Sequence, residues 1–333
     1  MDDFGAYAGK RVLITGAGGF IGSHLTEACI DLGATVTAMV HYNGAGSWGM
    51  LDQLSPERRG KVEVIAGDVQ DSDFMRSAVR GKDVVLHLAA LIAIPYSYVA
   101  PRSYVRTNVE GTLNVLEAAR AEGVVRVVHT STSEVYGTAR ERPISEAHPL
   151  QGQSPYSASK IGADKLAEAY HRSFELSVVT VRPFNTYGPR QSARAFIPTV
   201  ISQALAGDVV KLGSLDPQRD LTFVGDTVDG FLRAGLAEGV AGEVINLGTG
   251  TTHSIGDVAG RILRLMGRDI PIVTDAVRVR PQASEVMELI SDNRRAARLL
   301  GWTPRVDLDD GLRRTIDYVA ANLSTYRVDR YNI

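Results

Sequence analysis

In "YSASK", Tyr156 and Lys160 stand four residues apart, a spacing that puts both side chains on one face of a helix. An ammonium beside a phenol favours the phenolate and lowers a pKa that starts near 10. The pair is therefore expected to take a proton from a hydroxyl while hydride leaves the same carbon. Upstream, "HTSTSEVYG" (129–137) sets Thr132, Ser133 and Glu134 in a row, two hydroxyls and a carboxylate. Hydride transfer needs no carboxylate there. Glu134 is either a general base for a second proton transfer or a structural acceptor at a strand end.

A hydride needs an acceptor, and "TGAGGFIG" supplies a place for one. Gly16, Gly19 and Gly22 recur every third residue, directly after the apolar run Val12, Leu13 and Ile14 and at the head of a helix carrying Ile21, Leu25 and Cys29. Glycines there permit a tight turn and close approach of a pyrophosphate, and the helix N-terminus offers its unpaired N–H groups to the anion. The stretch after the second strand, "VTAMVHYNG", has no acid to hold a ribose and no arginine to hold a 2′-phosphate; its one candidate cation is His41. This favours NAD and leaves NADP open. Asp68, in "IAGDV", either accepts from an adenine amino group or caps the next helix. Trp48, in "GSWGM", either lies over a sugar or is a packed aromatic.

The elements that must position these groups alternate. Strand-like "RVLIT", "KVEVIAGDV", "DVVLHLAA", "VVRVVHTSTS" and "LSVVTVRPFN" are separated by helical stretches, among them a helix ending near Arg80, "RTNVEGTLNVLEAARAEG" and "SPYSASKIGADKLAEAYHRSF". This order implies an α/β fold, a Rossmann doubly wound parallel sheet covered on both faces. After residue 182 the rhythm breaks. "TVISQALAG", "IGDVAGRILRLMG" and "SDNRRAARLLGW" read as helices, while "GEVINLGTG" returns a strand to the main sheet. Residues 1–182 and 223–250 are thus expected to form the dinucleotide-binding domain, and 183–222 with 251–333 a smaller, discontinuous substrate domain.

Composition narrows the partners. The 333 residues are 44% hydrophobic and 22% charged, with a formal net charge of -2, so no basic surface argues for nucleic acid. The single cysteine, Cys29, fits a reducing compartment, and no apolar run approaches the ~18 residues of a membrane span. A soluble cytoplasmic protein without a metal is expected.

Taken together, "TGAGGFIG", "HLAA", "STSEVYG", "YSASK" and "RPFNTYGPRQ" resemble the extended short-chain dehydrogenase/reductase superfamily of nucleotide-sugar enzymes, over essentially the whole chain. The resemblance implies that Thr132, Tyr156 and Lys160 form the catalytic core and that Asn108 orients Lys160 through the backbone or a water. It implies dinucleotide contacts at Gly16, Gly19, Phe20, Ile21, Gly22, His41, Asp68, Val69, Leu88, Ala89, Ala90, Asn108, Tyr156, Lys160 and Pro183. It places the nucleotide sugar against Thr132, Asn185, Arg194, Arg219 and Arg280, with Phe184 beside the nicotinamide, and a homodimer on the helices holding 105–121 and 156–172.

The Thr-Ser-Glu string is similar to the nucleotide-sugar 4,6-dehydratase branch. There, a ketone at C4 makes the C5 proton acidic, and a carboxylate removes it as the C6 hydroxyl departs. The dTDP-glucose enzymes carry Asp-Glu, so Ser133 leaves the acid unassigned and Glu134 to serve in both directions. "HYNGAGSWGMLD", "LIAIPYSYVAP" and "PFNTYGPRQSARAFIPTVI" resemble the GDP-N-acetylglucosamine 4,6-dehydratases of legionaminic acid biosynthesis. A 4-epimerase, with the same redox cycle and no elimination, is the alternative.

Overall fold

The apolar runs and amphipathic stretches resolve, in a computed structural model that describes residues 4–326 and 328, into alternating strands and helices. The first half runs β1 (Arg11–Thr15), α1 (Phe20–Asp31), β2 (Thr35–Val40), α2 (Pro56–Arg59), β3 (Val62–Ala66), α3 (Ser72–Val79), β4 (Val84–His87), α4 (Ile94–Val99), α5 (Pro101–Tyr104), α6 (Gly111–Glu122), β5 (Arg126–Thr130), α7 (Pro155–Phe174) and β6 (Val178–Pro183). Then follow β7 (Asn185–Tyr187), α8 (Phe196–Ala206), β8 (Val210–Leu212), β9 (Gln218–Arg219), β10 (Leu221–Phe223), α9 (Val224–Leu236) and β11 (Val244–Leu247). The chain closes with β12 (His253–Ser254), α10 (Ile255–Leu265), β13 (Ile272–Thr274), β14 (Glu288–Leu289), α11 (Arg294–Leu300) and α12 (Leu308–Ala321).

Seven strands form one sheet in the order β11-β6-β5-β4-β1-β2-β3, every pair parallel. "GEVINLGTG" does return a strand, β11, to its edge beside β6. Successive residues of β1 feed opposite faces, as strand geometry requires. Val12 and Ile14 join Leu25 and Cys29 of α1 and Phe231 of α9 in one core. Leu13 joins Met75 of α3, Leu116 of α6 and Ala167 of α7 in the other. Both faces are buried, which is why these strands show no polar alternation. The strand order reverses between β1 and β4, and the crevice outside their carboxyl ends is where such sheets bind ligands. The shorter strands pair as β10-β7, β12-β9-β14 and β13-β8, apart from the main sheet.

One helix departs from expectation. The stretch 106–123 is not regular: Val105–Glu110 winds as a π-helix before α6 begins. In that wider turn the Asn108 carboxamide faces inward. It bridges both backbone atoms of Leu91 (2.8 and 2.9 Å) and the Ser159 hydroxyl (2.9 Å), and widened turns of this kind recur at functional sites.

Candidate active site

The glycine turn closes on the backbone of the neighbouring strand. Gly16 has φ +70°, and a Cβ there would lie 2.7 Å from Ala89 N; one on Gly22 would run into the Gly16 carbonyl. Gly19 caps α1 without a side chain, so the first-turn amides of Phe20, Ile21 and Gly22 face the turn without intrahelical acceptors. This is a cradle that fits a pyrophosphate.

A buried relay fixes the loop opposite. The Thr15 hydroxyl accepts from Leu88 N (3.2 Å) and Ala89 N (3.1 Å) and bonds His87 Nδ1 (2.8 Å). Thr112 donates its only hydroxyl proton to Asn108 O (2.7 Å), so His87 Nε2 must donate to Thr112 (3.0 Å) and His87 Nδ1 accepts from Thr15. Burial, with His129 and Lys160 nearby, pushes His87 well below its ordinary value and keeps it neutral.

Three expectations at this end need correction or sharpening. Asp68 is not a helix cap: it accepts from Gln70 N (2.9 Å), and Asp71 caps α3 through Phe74 N (2.9 Å). Its carboxylate lies 3.9 Å from exposed His41, so β3 brings an acid to the end of β2 where β2 itself has none. Trp48 is a packed aromatic at the glycine turn, its carbonyl 2.6 Å from where a Gly18 Cβ would stand and Arg59 over its ring at 5.7 Å. Val69 is buried and packs on Gly111, while Ala90 follows the loop after β4 and Pro183 ends β6 beside Leu247.

The redox pair lies on the first turns of α7, which Ser154 opens with a reciprocal capping box and Pro155 at the first helical position. Tyr156 is 7% exposed and Lys160 3%. The Tyr156 ring meets Tyr104 edge-on at 6.3 Å and packs with Ile94 and Leu91. The expected lowering of the phenol by lysine does not appear. Burial dominates and pushes Tyr156 up, with Thr132 acting against it, and the Glu134 and Tyr104 charges push the same way as burial. Desolvation also pulls Lys160 down to about 8, against the pull of Asp164. Spacing makes neighbours, but it carries no information on desolvation.

Asn108 reaches the residue adjoining Lys160, tying Ser159 to Leu91. Thr132 caps a short 3-10 turn, accepting from Glu134 N (3.2 Å), with Ser133 buried as its first residue. Glu134 is half-buried, and its charge acts on both Tyr156 and Arg219. The carboxylate is therefore within electrostatic reach of both the phenol and Arg219.

At that end, Asn185 presents a buried Oδ1 with no hydrogen-bond partner. Arg219 is buried and pairs with Glu285 (3.1 Å), whose Oε1 also lies 3.5 Å from Arg280; Arg280 Nη1 makes no hydrogen bond. A guanidinium pair and an orphaned amide oxygen suit a diphosphate ester with hydroxyl donors. Arg194 is exposed, bonded to Ser192 (3.2 Å), and its charge reaches Tyr104. On α4, Tyr98 reaches across to the Ser284 hydroxyl at 2.5 Å.

Sequence reasoning missed three groups here. Glu285 stands in "RPQASE", and an acid beside a suspected phosphate arginine was a usable signal. Arg190, in the "GPRQ" quoted above, has φ +68° and grips Glu27 of α1 with two bonds (3.0 and 2.9 Å), tying the glycine-turn helix to the segment that carries Arg194. The third is a cluster around Asp164, which no motif marks.

Fold and redox pair together place the chain among the extended short-chain dehydrogenases/reductases. The sequence profile of the GDP-mannose 4,6 dehydratase family matches residues 13–315, and the chain belongs to that family. It is 35% identical to the UDP-glucose 4-epimerase of Mycolicibacterium smegmatis, over 92% of this chain and 98% of that one. It is 34% identical to the dTDP-glucose 4,6-dehydratase of an Actinoplanes species, over 94% and 99%. The solved dTDP-glucose 4,6-dehydratase DesIV of Streptomyces venezuelae, which holds NAD, superposes with TM-score 0.84 at 32% identity, covering 95% of this chain and 99% of its own. No helix among the described residues is long and apolar enough to cross a membrane.

Proposed function

We propose that the protein is an NAD-dependent nucleotide-sugar 4,6-dehydratase that turns a GDP- or UDP-linked hexose or N-acetylhexosamine into its 4-keto-6-deoxy derivative. The observation that carries this reading is Glu134 itself, a half-buried carboxylate whose charge acts on both the redox tyrosine and Arg219. When bound at the glycine turn, NAD would supply the hydride acceptor for C4 and the hydride donor for C6. Tyr156 removes the C4 hydroxyl proton, assisted by Thr132, which favours the phenolate. Glu134 then takes the C5 proton as the C6–O bond breaks, and hands it to the departing hydroxyl so that water leaves. As C6 regains hydride, C5 takes up a proton from solvent, balanced by release of the one Tyr156 took from the C4 hydroxyl. No second acid stands beside it at position 133, which is a serine. Asn185, Arg219 and Arg280 hold the diphosphate, with Arg194 on the sugar side. GDP-N-acetylglucosamine is the first substrate to test, on the resemblance of the three stretches quoted above. The protein is read as a homodimer formed through α6 and α7.

The relation to a UDP-glucose 4-epimerase supports a second reading, isomerisation at C4 without loss of water. Glu134→Gln separates the two. The amide keeps the volume but cannot accept a proton at neutral pH. In a dehydratase, C4 oxidation continues and elimination stops, so reduced-nicotinamide absorbance and 4-keto sugar build up on the enzyme and solvent deuterium no longer enters C5. In an epimerase the variant slows isomer formation and traps nothing. Unimpaired C5 exchange in the variant removes Glu134 from the chemistry.

A further inference from the structure

The turn that carries Glu134, the cap of the redox helix and the segment that carries Arg280 and Glu285 meet at a side chain the proposed reaction does not use. Gln153 stands immediately before Ser154, the cap of α7. Its Oε1 accepts from Thr138 N (2.7 Å), just beyond the 3-10 turn Ser133–Tyr136. Its Nε2 donates to Ala283 O (3.3 Å), and its own carbonyl accepts from the Ser284 hydroxyl (2.7 Å). The approach is close, since a Cβ on Gly137 would lie 2.5 Å from Gln153 Oε1. Gln151 stitches the same stretch, donating from its backbone to Val135 O (2.7 Å) and from its amide to Tyr136 O (2.7 Å).

The segment gripped by Gln153 belongs to the arginine end. Ala283, Ser284 and Glu285 are consecutive, and Glu285 pairs with Arg219 (3.1 Å). Further bonds join this segment to the chain beyond Glu134: Met287 N donates to the Thr138 hydroxyl (3.2 Å) and Ala139 N to Glu288 O (3.3 Å). Ser284 uses its only hydroxyl proton on Gln153, so Tyr98 of α4 donates to it (2.5 Å).

We propose that Gln153 is a positioning residue that couples a bound diphosphate to Glu134. What Arg219, Arg280 and Glu285 hold sets the 283–288 segment, and Gln153 passes that setting to the turn. Binding energy from the nucleotide, remote from the reacting carbons, thereby aligns the carboxylate. A bare nucleoside diphosphate is then enough to steady the turn, although it brings no sugar there. The coupling rests on the reading of Arg219 and Arg280 as diphosphate ligands, and it applies to a dehydratase and an epimerase alike.

The test is amide hydrogen exchange of the full chain with NAD, followed by mass spectrometry before and after GDP or UDP is added. In the wild type, exchange should slow about threefold or more at both 280–288 and 133–138, relative to α3, which reports general stabilisation. Gln153→Glu keeps the size of the side chain and the acceptor for Thr138 N, but its carboxylate has no donor for Ala283 O. In this variant 280–288 should still slow, while the effect at 133–138 shrinks by roughly half or more. If Gln153→Glu does not fold, Ser284→Ala removes the neighbouring link from the other segment and should give the same pattern. No slowing at 280–288 with either nucleotide sinks the diphosphate reading and the coupling with it. Slowing at 280–288 alone in the wild type, or an undiminished effect at 133–138 in the variant, sinks the coupling and leaves that reading standing. In steady state, Gln153→Glu should cut kcat about tenfold at a KM near that of the wild type. A raised KM at unchanged kcat means lost binding rather than lost alignment, and overturns the proposal.

Discussion

Tyr156, the proposed base, is discouraged by its surroundings, since burial holds its phenol protonated while Thr132 works the other way. Tyr156→Phe is expected to cut turnover by roughly 10²- to 10⁴-fold with dinucleotide affinity largely kept, as measured by steady-state rates beside cofactor titration. Lys160 sets a pH limit. It is charged below about 8, so turnover should fall as pH rises through that value. The stability effect has the opposite sign. The unfolded lysine keeps its proton up to about 10.4, so between about 8 and that value the unfolded state binds more protons and Lys160 adds stability as pH rises. Asp164, held down to about 2, contributes stability above its unfolded value of about 3.9, and that contribution is lost as pH falls towards 2. Denaturant midpoints across pH, compared with Asp164→Asn, check this. The types and spacing of Tyr156, Lys160 and Glu134 were legible in the sequence. The sign of their charge shifts was not, because it depends on depth within the fold.

Between elements, two contacts bear on the site: the glycine turn and Arg190. Gly22→Ala puts a methyl against the Gly16 carbonyl and is expected to weaken dinucleotide binding at least tenfold, read by calorimetry. Arg190→Ala removes the two-bonded grip on Glu27, in which both side chains are mostly buried (11% and 16% exposed). About 1.5–3 kcal/mol of unfolding free energy should be lost, with KM rising as the segment carrying Arg194 loosens. The main strands were readable because apolar runs separated by amphipathic stretches admit few arrangements. The π-turn at Asn108 was not, since it arises from a contact with Leu91 and Ser159 that sequence spacing does not encode. No expectation covers α12, although Asp307 caps it through Asp309 N (2.8 Å) and buried Leu312 and Val319 mark its inner face. Asp68 shows the limit from the other side: two acids lie close together after β3, and only the backbone decides that Asp71 caps the helix.

In the whole molecule, one sheet carries the glycine turn, the redox helix and the returning strand β11, while Asn185 and Arg219 stand on the short strands β7 and β9. The helices read as the dimer interface lie side by side, Tyr170 of α7 bonding Glu117 of α6 and Arg120 lying over Phe174 at 4.6 Å. Sedimentation equilibrium should give twice the chain's mass. Whether the crevice eliminates water or only inverts C4 is the central question, and mass answers it. Purified protein is incubated with GDP-, UDP-, dTDP- and CDP-linked sugars, and each nucleotide sugar is weighed by mass spectrometry without added reductant. The account predicts that one GDP- or UDP-sugar loses the mass of one water and gains a C4 ketone, with no net consumption of NAD. An isomer of unchanged mass, or turnover that needs stoichiometric NADH, would contradict it.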